Sequence, residues 1–186
     1  MNFYSDDIRN DIIDKRDVEN IIEKLDDFKS ITKYLFMKYT GIHIGSSYTK
    51  CLVENPKNKY VFHCLDNEFE IGNCPTIMAY RRFSKPITNE IIYYILLICT
   101  KHNFKGMGYA SKLLDGFIER VKQDTMKHRD TKKVTIALSS VVEAVTFYEE
   151  YGFKWTRKSL ADHEPLTWYE PYDEKKEYFI MEMDIN

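Results

Sequence analysis

The sequence predicts an α/β domain of the α+β kind, a mostly antiparallel sheet flanked by helices. Three observations carry this. Apolar positions recur at a mostly helical period from residue 5 to 39, and from Tyr48 the period shortens to that of strands. Between them and the later strands, an apolar run (IIYYILLICT, from Ile91) empties into a polar turn with two glycines and then a long amphipathic helix reaching about Lys127.

The elements follow in order. Ile8, Ile12, Val18, Ile21, Ile22, Leu25, Phe28, Ile31, Leu35 and Phe36 mark the N-terminal helices, with Asp17 as an N-cap and Gly41 to Ser47 as punctuation. Tyr48 to Glu54 and Lys59 to Leu65, joined by Asn55, Pro56, Lys57 and Asn58, read as a hairpin. Thr76 to Phe83 is the next strand, closed by Pro86 and Asn89 before the run at Ile91. In the long helix Tyr109, Leu113, Leu114, Phe117, Ile118 and Val121 form one stripe, while Lys112, Asp115, Glu119 and Lys122 face water. Val134 to Leu138 is a short buried strand. Ser140 with Glu143 predicts a capping box for the helix after it, and Gly152 a left-handed cap with Phe153 making the accompanying apolar contact. Lys154 to Leu160 and Tyr178 to Ile185 are the last strands. Between them lies a long loop bearing Trp168, Tyr169, Tyr172 and the acids Asp162, Glu164, Glu170, Asp173 and Glu174.

A length of 186 residues suits one domain with a full core. The net charge of −2 argues against a nucleic-acid partner bound by broad phosphate neutralisation. Cys51, Cys64, Cys74 and Cys99 have no paired spacing, so strand-buried thiols are a simpler reading than a metal held by His63, Cys64 and Cys74; no metal is expected. The start carries no apolar signal core, which together with the thiols predicts a cytoplasmic protein. The run from Ile91 to Cys99 is half of what a membrane span needs, so no membrane is expected.

A strand, a glycine turn and a helix together hold anions, because the first amides of a helix have no intrahelical acceptor and the helix dipole adds positive charge there. Gly106 and Gly108 permit φ values that a side chain resists, and Lys105 adds a full charge. The spacing does not complete a dinucleotide fingerprint, since Ser111 stands at the third small position, and the Gly-Lys-Ser/Thr ending of a P-loop is missing.

Asn103, Phe104, Lys105, Gly106, Met107 and Gly108, followed by a helix opening Tyr109, Ala110, Ser111, resemble the acyl-CoA pyrophosphate loop of the GNAT superfamily of N-acetyltransferases, Q/R-x-x-G-x-G/A. The segment from Glu143 through Ala144, Phe147, Tyr148, Gly152 and Phe153 is similar to that family's A-x-x-F-Y-x-x-x-G-F segment. Asn103 departs from the usual Gln or Arg, and Val141 from a frequent Asn. The resemblance covers Glu90 to about Phe153.

It implies the GNAT fold, a central mixed, mostly antiparallel sheet of six to seven strands flanked by helices, in which two parallel central strands diverge. One domain would span 1–186, with variable helices at 1–47, the acyl-CoA strand, loop and helix at 90–127, a strand and helix with the candidate catalytic tyrosine at 134–153, and the acidic and aromatic loop at 161–177. It implies acetyl-CoA as co-substrate, its pantetheine arm on the backbone of Leu97, Ile98, Cys99 and Thr100. Asn103 to Ala110 would hold its diphosphate, with Ser139, Phe147 and Tyr148 as further contacts. The implied activity is direct acetyl transfer to a primary amine of a small cationic molecule, peptide or protein. Tyr148 matches the residue that protonates the leaving thiolate. For the base, Glu90 lies two residues before a place where several members carry a carboxylate, here Ile92; His102, Tyr94, a water route or no base at all are alternatives. The rival reading is a catalytically silent CoA-binding or protein-interaction module of the same fold. A homodimer is common among such proteins.

Overall fold

In the computed structural model, which describes residues 9–13, 55, 57–65, 74–127, 131–160 and 177–185, seven strands form one sheet. They are β1 (Arg9–Ile13), β2 (Asn58–Cys64), β3 (Thr76–Lys85), β4 (Glu90–Thr100), β5 (Lys133–Val141), β6 (Lys154–Trp155) and β7 (Tyr178–Asp184), in the order β1-β2-β3-β4-β5-β7-β6. Helix α1 (Tyr109–Lys127) joins β4 to β5, and a short helix α2 (Val145–Glu150) follows β5. β4 and β5 are parallel; every other neighbouring pair is antiparallel. The crossover through α1 is the reason, because two strands pointing the same way cannot be joined by a tight turn.

The core forms where the apolar stripe of α1 meets one face of the sheet. Leu113, Leu114, Phe117, Ile118 and Val121 are buried against Met78, Tyr80, Tyr93, Ile95, Val134, Ile136 and Leu138. Each such side chain contributes roughly 1.5–3 kcal/mol by leaving water. The stripe read from the sequence is therefore the face that packs, and Asp115, Glu119 and Lys122 are exposed as expected. Among the described residues no helix is long and apolar enough to cross a membrane.

Several expectations change. Arg9–Ile13 is a strand, not part of a helix, and pairs with Tyr60 to Cys64 of β2. So short a segment has no decisive period, and the open edge of β2 supplies backbone partners that local propensity cannot outweigh. The rest of the N-terminal helical reading, and Tyr48 to Glu54, lie outside the described residues. Over Tyr60 to His63 both edges of β2 are taken, by β1 and β3, so the expected hairpin partner has no free edge on that stretch.

The capping box does not form. β5 runs on to Val141, held by pairing of Ser140 with Phe179 and Val141 with Tyr178, and the Ser140 hydroxyl donates to the Val141 carbonyl at 2.9 Å. A 3₁₀ turn, Val142–Ala144, then leads into α2 without a side-chain cap. The strand predicted from Lys154 to Leu160 is confined to Lys154–Trp155, followed by one further bond from the Thr156 amide to the Ile180 carbonyl. Arg157, at φ 61°, turns the chain away.

Two tyrosines sit where the sheet meets the second half of α1. The Tyr93 hydroxyl donates to the Asp124 carboxylate. Burial pushes the Tyr93 phenol up to about 12, and the bond to Asp124 adds to the effect. Tyr80, 6.3 Å away between ring centroids, is raised further by burial and by Tyr93. A phenol kept neutral in the fold stabilises it fully below the ordinary phenol pKa of about 10, and that contribution is lost as the pH rises toward the folded value. Denaturant unfolding should therefore show stability falling from about pH 10 upward, and Tyr93→Phe should fall less steeply. Equal slopes for the two proteins would remove Tyr93 as a titrating group.

Candidate active site

The pairing of β4 with β5 runs from Glu90 opposite Lys133 to Ile95 opposite Leu138 and stops there. β4 continues through Thr100 and β5 through Val141, so two parallel strands extend past the end of their shared ladder. The cause is visible on the other side of β4. Tyr80 of β3 stands opposite Ile95 and Ala79 opposite Leu97, which leaves Leu96 as an extra residue, a β-bulge. The bulge reverses the alternation of side chains. Before it Ile91, Tyr93 and Ile95 belong to the cluster around α1, and after it Ile98 does. Leu97 and Cys99 consequently point to the opposite face.

Beyond Thr100 the chain makes a 3₁₀ turn, His102–Phe104, and then the glycine turn. The base of this turn is tied down: the Lys101 amide donates to the Pro75 carbonyl at 2.8 Å, and the Thr76 and Thr100 hydroxyls lie 2.9 Å apart. Gly106 and Gly108 adopt φ 78° and 79°, and a Cβ on either would meet nothing within 4 Å. Backbone conformation, not crowding by the protein, is thus what requires glycine. Asn103, Lys105, Gly106, Met107 and Gly108 are exposed, while Tyr109 and Ala110 are half-buried at the start of α1.

The Lys112 amide donates to the Gly108 carbonyl at 3.0 Å. The amides of Tyr109, Ala110 and Ser111 precede that bond, and no acidic side chain occupies the first turn. Open amides, the positive end of a 19-residue helix and Lys105 together suit a diphosphate. Phe104 packs edge-on to Tyr109 at 5.6 Å, and the fully buried His63 of β2 lies behind Tyr109 at 5.3 Å. His63 and the buried Lys101 were missed as supports of this turn. The alternation along β2 was the available signal for His63, but strand period alone does not say which face meets α1.

Tyr148 is held by the end of α2. The Phe153 amide donates to the Tyr148 carbonyl at 3.2 Å and the Gly152 amide to the Glu149 carbonyl at 2.9 Å, with Gly152 at φ 92°. This is a Schellman motif, and its apolar contact is the Tyr148 ring against Phe153, 5.7 Å between centroids. The left-handed cap and the Phe153 contact are both as expected. Phe147 packs on Tyr148 at 5.1 Å. Tyr148 is buried in the same cluster as Ile95 and Leu138, the last pair before β4 and β5 part. Burial pushes its phenol well above the ordinary range, so it is a donor at neutral pH.

Ser139 is the first residue of β5 past the last pair with β4. Its hydroxyl is buried and, among the described residues, has no hydrogen-bond partner. A buried hydroxyl left so is costly, and a polar group entering between the strands would relieve it. Leu97, Ile98 and Thr100 are half-buried there. The Cys99 thiol is pushed far up by burial, which keeps it a thiol and not a nucleophile.

Glu90 is not brought to this place. It opens β4 six residues before Leu96, about 20 Å along the strand at ~3.3 Å per residue, beside Lys133 and Lys85 in the neighbouring strands. Direct proton transfer needs about 3 Å, so from this position Glu90 would reach an amine beside the bulge only through intervening water. Its charge instead helps hold Lys133 protonated, after the larger effect of the Asp184 carboxylate 3.0 Å from that ammonium. Of the other candidates His102 is exposed on the 3₁₀ turn, whereas Tyr94 is buried two residues before the bulge. Among the described residues no group of three His, Cys, Asp or Glu side chains is placed to hold a metal ion.

A family model for the acetyltransferase (GNAT) domain matches residues 80–164. No curated protein matches the chain by sequence. Solved structures do. Arabidopsis thaliana Naa50 in complex with the bisubstrate analogue CoA-Ac-MVNAL aligns at 14% identity over 95% of this chain and 97% of that one, with a TM-score of 0.57. Arabidopsis thaliana NAA60 in complex with acetyl-CoA aligns at 12% identity over 96% and 98%, TM-score 0.58. The ribosomal-protein-S18-alanine N-acetyltransferase from Escherichia coli aligns at 12% identity over 96% and 94%, TM-score 0.57. At these identities the likeness is one of fold. Residues 80–164 thus resemble a GNAT acetyltransferase domain, and the sheet as a whole follows the fold of these solved N-acetyltransferases.

Proposed function

We propose that this protein transfers an acetyl group from acetyl-CoA directly to a primary amine, with both substrates bound at once. The observation that carries this is the end of the β4–β5 ladder at Ile95 and Leu138, which leads on β4 straight into the glycine turn. The amides at the start of α1 suit the diphosphate of acetyl-CoA, and the backbone of Leu97 to Thr100 suits its pantetheine arm. The Ser139 hydroxyl is available to a polar atom of that arm or of the acetyl group.

In the reaction the amine lone pair attacks the thioester carbon, a C–N bond forms, and the C–S bond breaks with its electron pair on sulfur. Tyr148, kept protonated by burial, is the donor to that sulfur. Because a phenol raised this far is a much weaker acid than a thiol, its gain comes from the hydrogen bond to developing thiolate rather than from complete proton transfer. The amine proton leaves through water, as β4 carries no carboxylate after Glu90. With the Cys99 thiol held protonated, direct attack by the amine is favoured over an acyl-cysteine route.

For the acceptor, a peptide or protein N-terminus is favoured. One similar structure holds an analogue joining CoA to the peptide MVNAL, and another is named for the alanine of a ribosomal protein. Thiol release should be measured with acetyl-CoA against short peptides of differing first residue and against small polyamines. Release with peptides supports this acceptor, and release with polyamines alone replaces it. None with either, although acetyl-CoA binds, would overturn acetyl transfer.

Two variants test the parts. Gly108→Asp forces a side chain into a left-handed conformation at a cost of about 1 kcal/mol, and sets a carboxylate where a diphosphate would lie. Isothermal titration should show acetyl-CoA binding lost while thermal unfolding stays cooperative; retained binding would remove the glycine turn from the cofactor site. Tyr148→Phe should lower kcat about tenfold or more, equivalent to ~1.4 kcal/mol, with little change in the KM for acetyl-CoA. An unchanged kcat would leave Tyr148 a packing residue.

A further inference from the structure

The end of α2 touches the start of α1. Tyr151 closes α2: its amide donates to the Tyr148 carbonyl at 3.1 Å, and its ring packs on Phe147, 5.4 Å between centroids. The phenol reaches across to α1, where its oxygen accepts the Ser111 hydroxyl and its own hydroxyl donates to the Asp115 carboxylate. Ser111 and Asp115 stand at i and i+4 of α1 and so share one face of that helix. One phenol thus grips the opening of α1 at two places.

Both sides of this bridge matter for where they stand. Ser111 is the third residue of α1, and its amide precedes the first bond of the helix, from the Lys112 amide to the Gly108 carbonyl. Tyr151 follows Tyr148 by one turn, and both rings pack on Phe147. A helix of six residues has little stability of its own, so tertiary contacts set its position. Apolar contact with the core cluster is non-directional, whereas a hydrogen bond also fixes orientation. The bridge is therefore what orients the end of α2 against the first turn of α1.

We propose that Tyr151 is a positioning residue for acetyl transfer: through Ser111 and Asp115 it fixes the Tyr148 hydroxyl relative to the amides that hold the diphosphate. Those amides anchor one end of acetyl-CoA and Tyr148 meets the sulfur at the other, so the relation between the two helices decides whether the donor reaches. The proposal rests on the acetyl-transfer reading above and adds to it a residue that acts through Tyr148.

The test is Tyr151→Phe, which keeps the ring on Phe147 and removes both hydrogen bonds. With both substrates saturating, kcat should fall about fivefold or more, while the calorimetric Kd for acetyl-CoA changes less than about twofold. In a Tyr148→Phe background, Tyr151→Phe should lower kcat no further, because its effect passes through the Tyr148 hydroxyl. Ser111→Ala should reproduce the loss, and Ser111→Thr, which keeps a hydroxyl, should stay near the wild-type rate. Hydrogen exchange reads the same bridge without turnover: acetyl-CoA should slow exchange of the Gly152 and Phe153 amides in the wild type and much less in Tyr151→Phe. Full kcat in Tyr151→Phe overturns the proposal, as does an equal fold-loss in the wild-type and Tyr148→Phe backgrounds, or equal protection of the two amides in both proteins. A wild type that releases no thiol with any acceptor overturns acetyl transfer and this role with it, a result distinct from turnover that survives Tyr151→Phe.

Discussion

The site depends on one backbone event, the extra residue at Leu96. A strand cannot hold two straight ladders when one neighbour has one residue fewer over the same span, so β4 stays paired with β3 through a one-residue shift of register and loses its pairing with β5. Parallel strands past the end of their ladder leave polar backbone that favours an extended ligand, as a free sheet edge favours another strand. The same event turns Leu97 and Cys99 away from α1 and carries Thr100 to the head of the glycine turn. Without it the β4–β5 ladder could run on to Ile98 opposite Val141, where β5 ends, and close the gap before the turn.

Rigid elements hold each part in place. The glycine turn is anchored by Lys101 to Pro75 and by the Thr76 and Thr100 hydroxyls, and its first helical residue by packing on Phe104 and His63. Tyr148 is oriented by the Schellman bonds after it, with Phe153 fixing the ring. The proposed donor is thus set by a helix end, while the amides proposed for the diphosphate are set by a helix start. The two polarities of short and long helix are used for different jobs.

Burial decides the protonation states. Tyr148 and Cys99 are both pushed upward by loss of water, which keeps one as a donor and the other inert. Tyr80 and Tyr93 are shifted for the same reason at the far end of α1.

Much of this was legible in the residues. The α1 stripe, the glycine turn and the Gly152–Phe153 cap are local patterns, set by period and by φ, and they folded as read. Ser140 and Glu143 misled because a capping box competes with strand pairing, and β7 supplied the pairing. Arg9 to Ile13 misled because a short segment takes whichever partner the sheet offers. Glu90 lies on the expected strand, but only the end of the β4–β5 ladder tells how far along it the chemistry would sit. By itself the sequence determined which segments could be strand, turn and helix, since these follow from side-chain period and backbone freedom. The tertiary structure alone decided the bulge at Leu96 and the parting of β4 from β5, because register and facing arise between strands and are encoded in none of them singly.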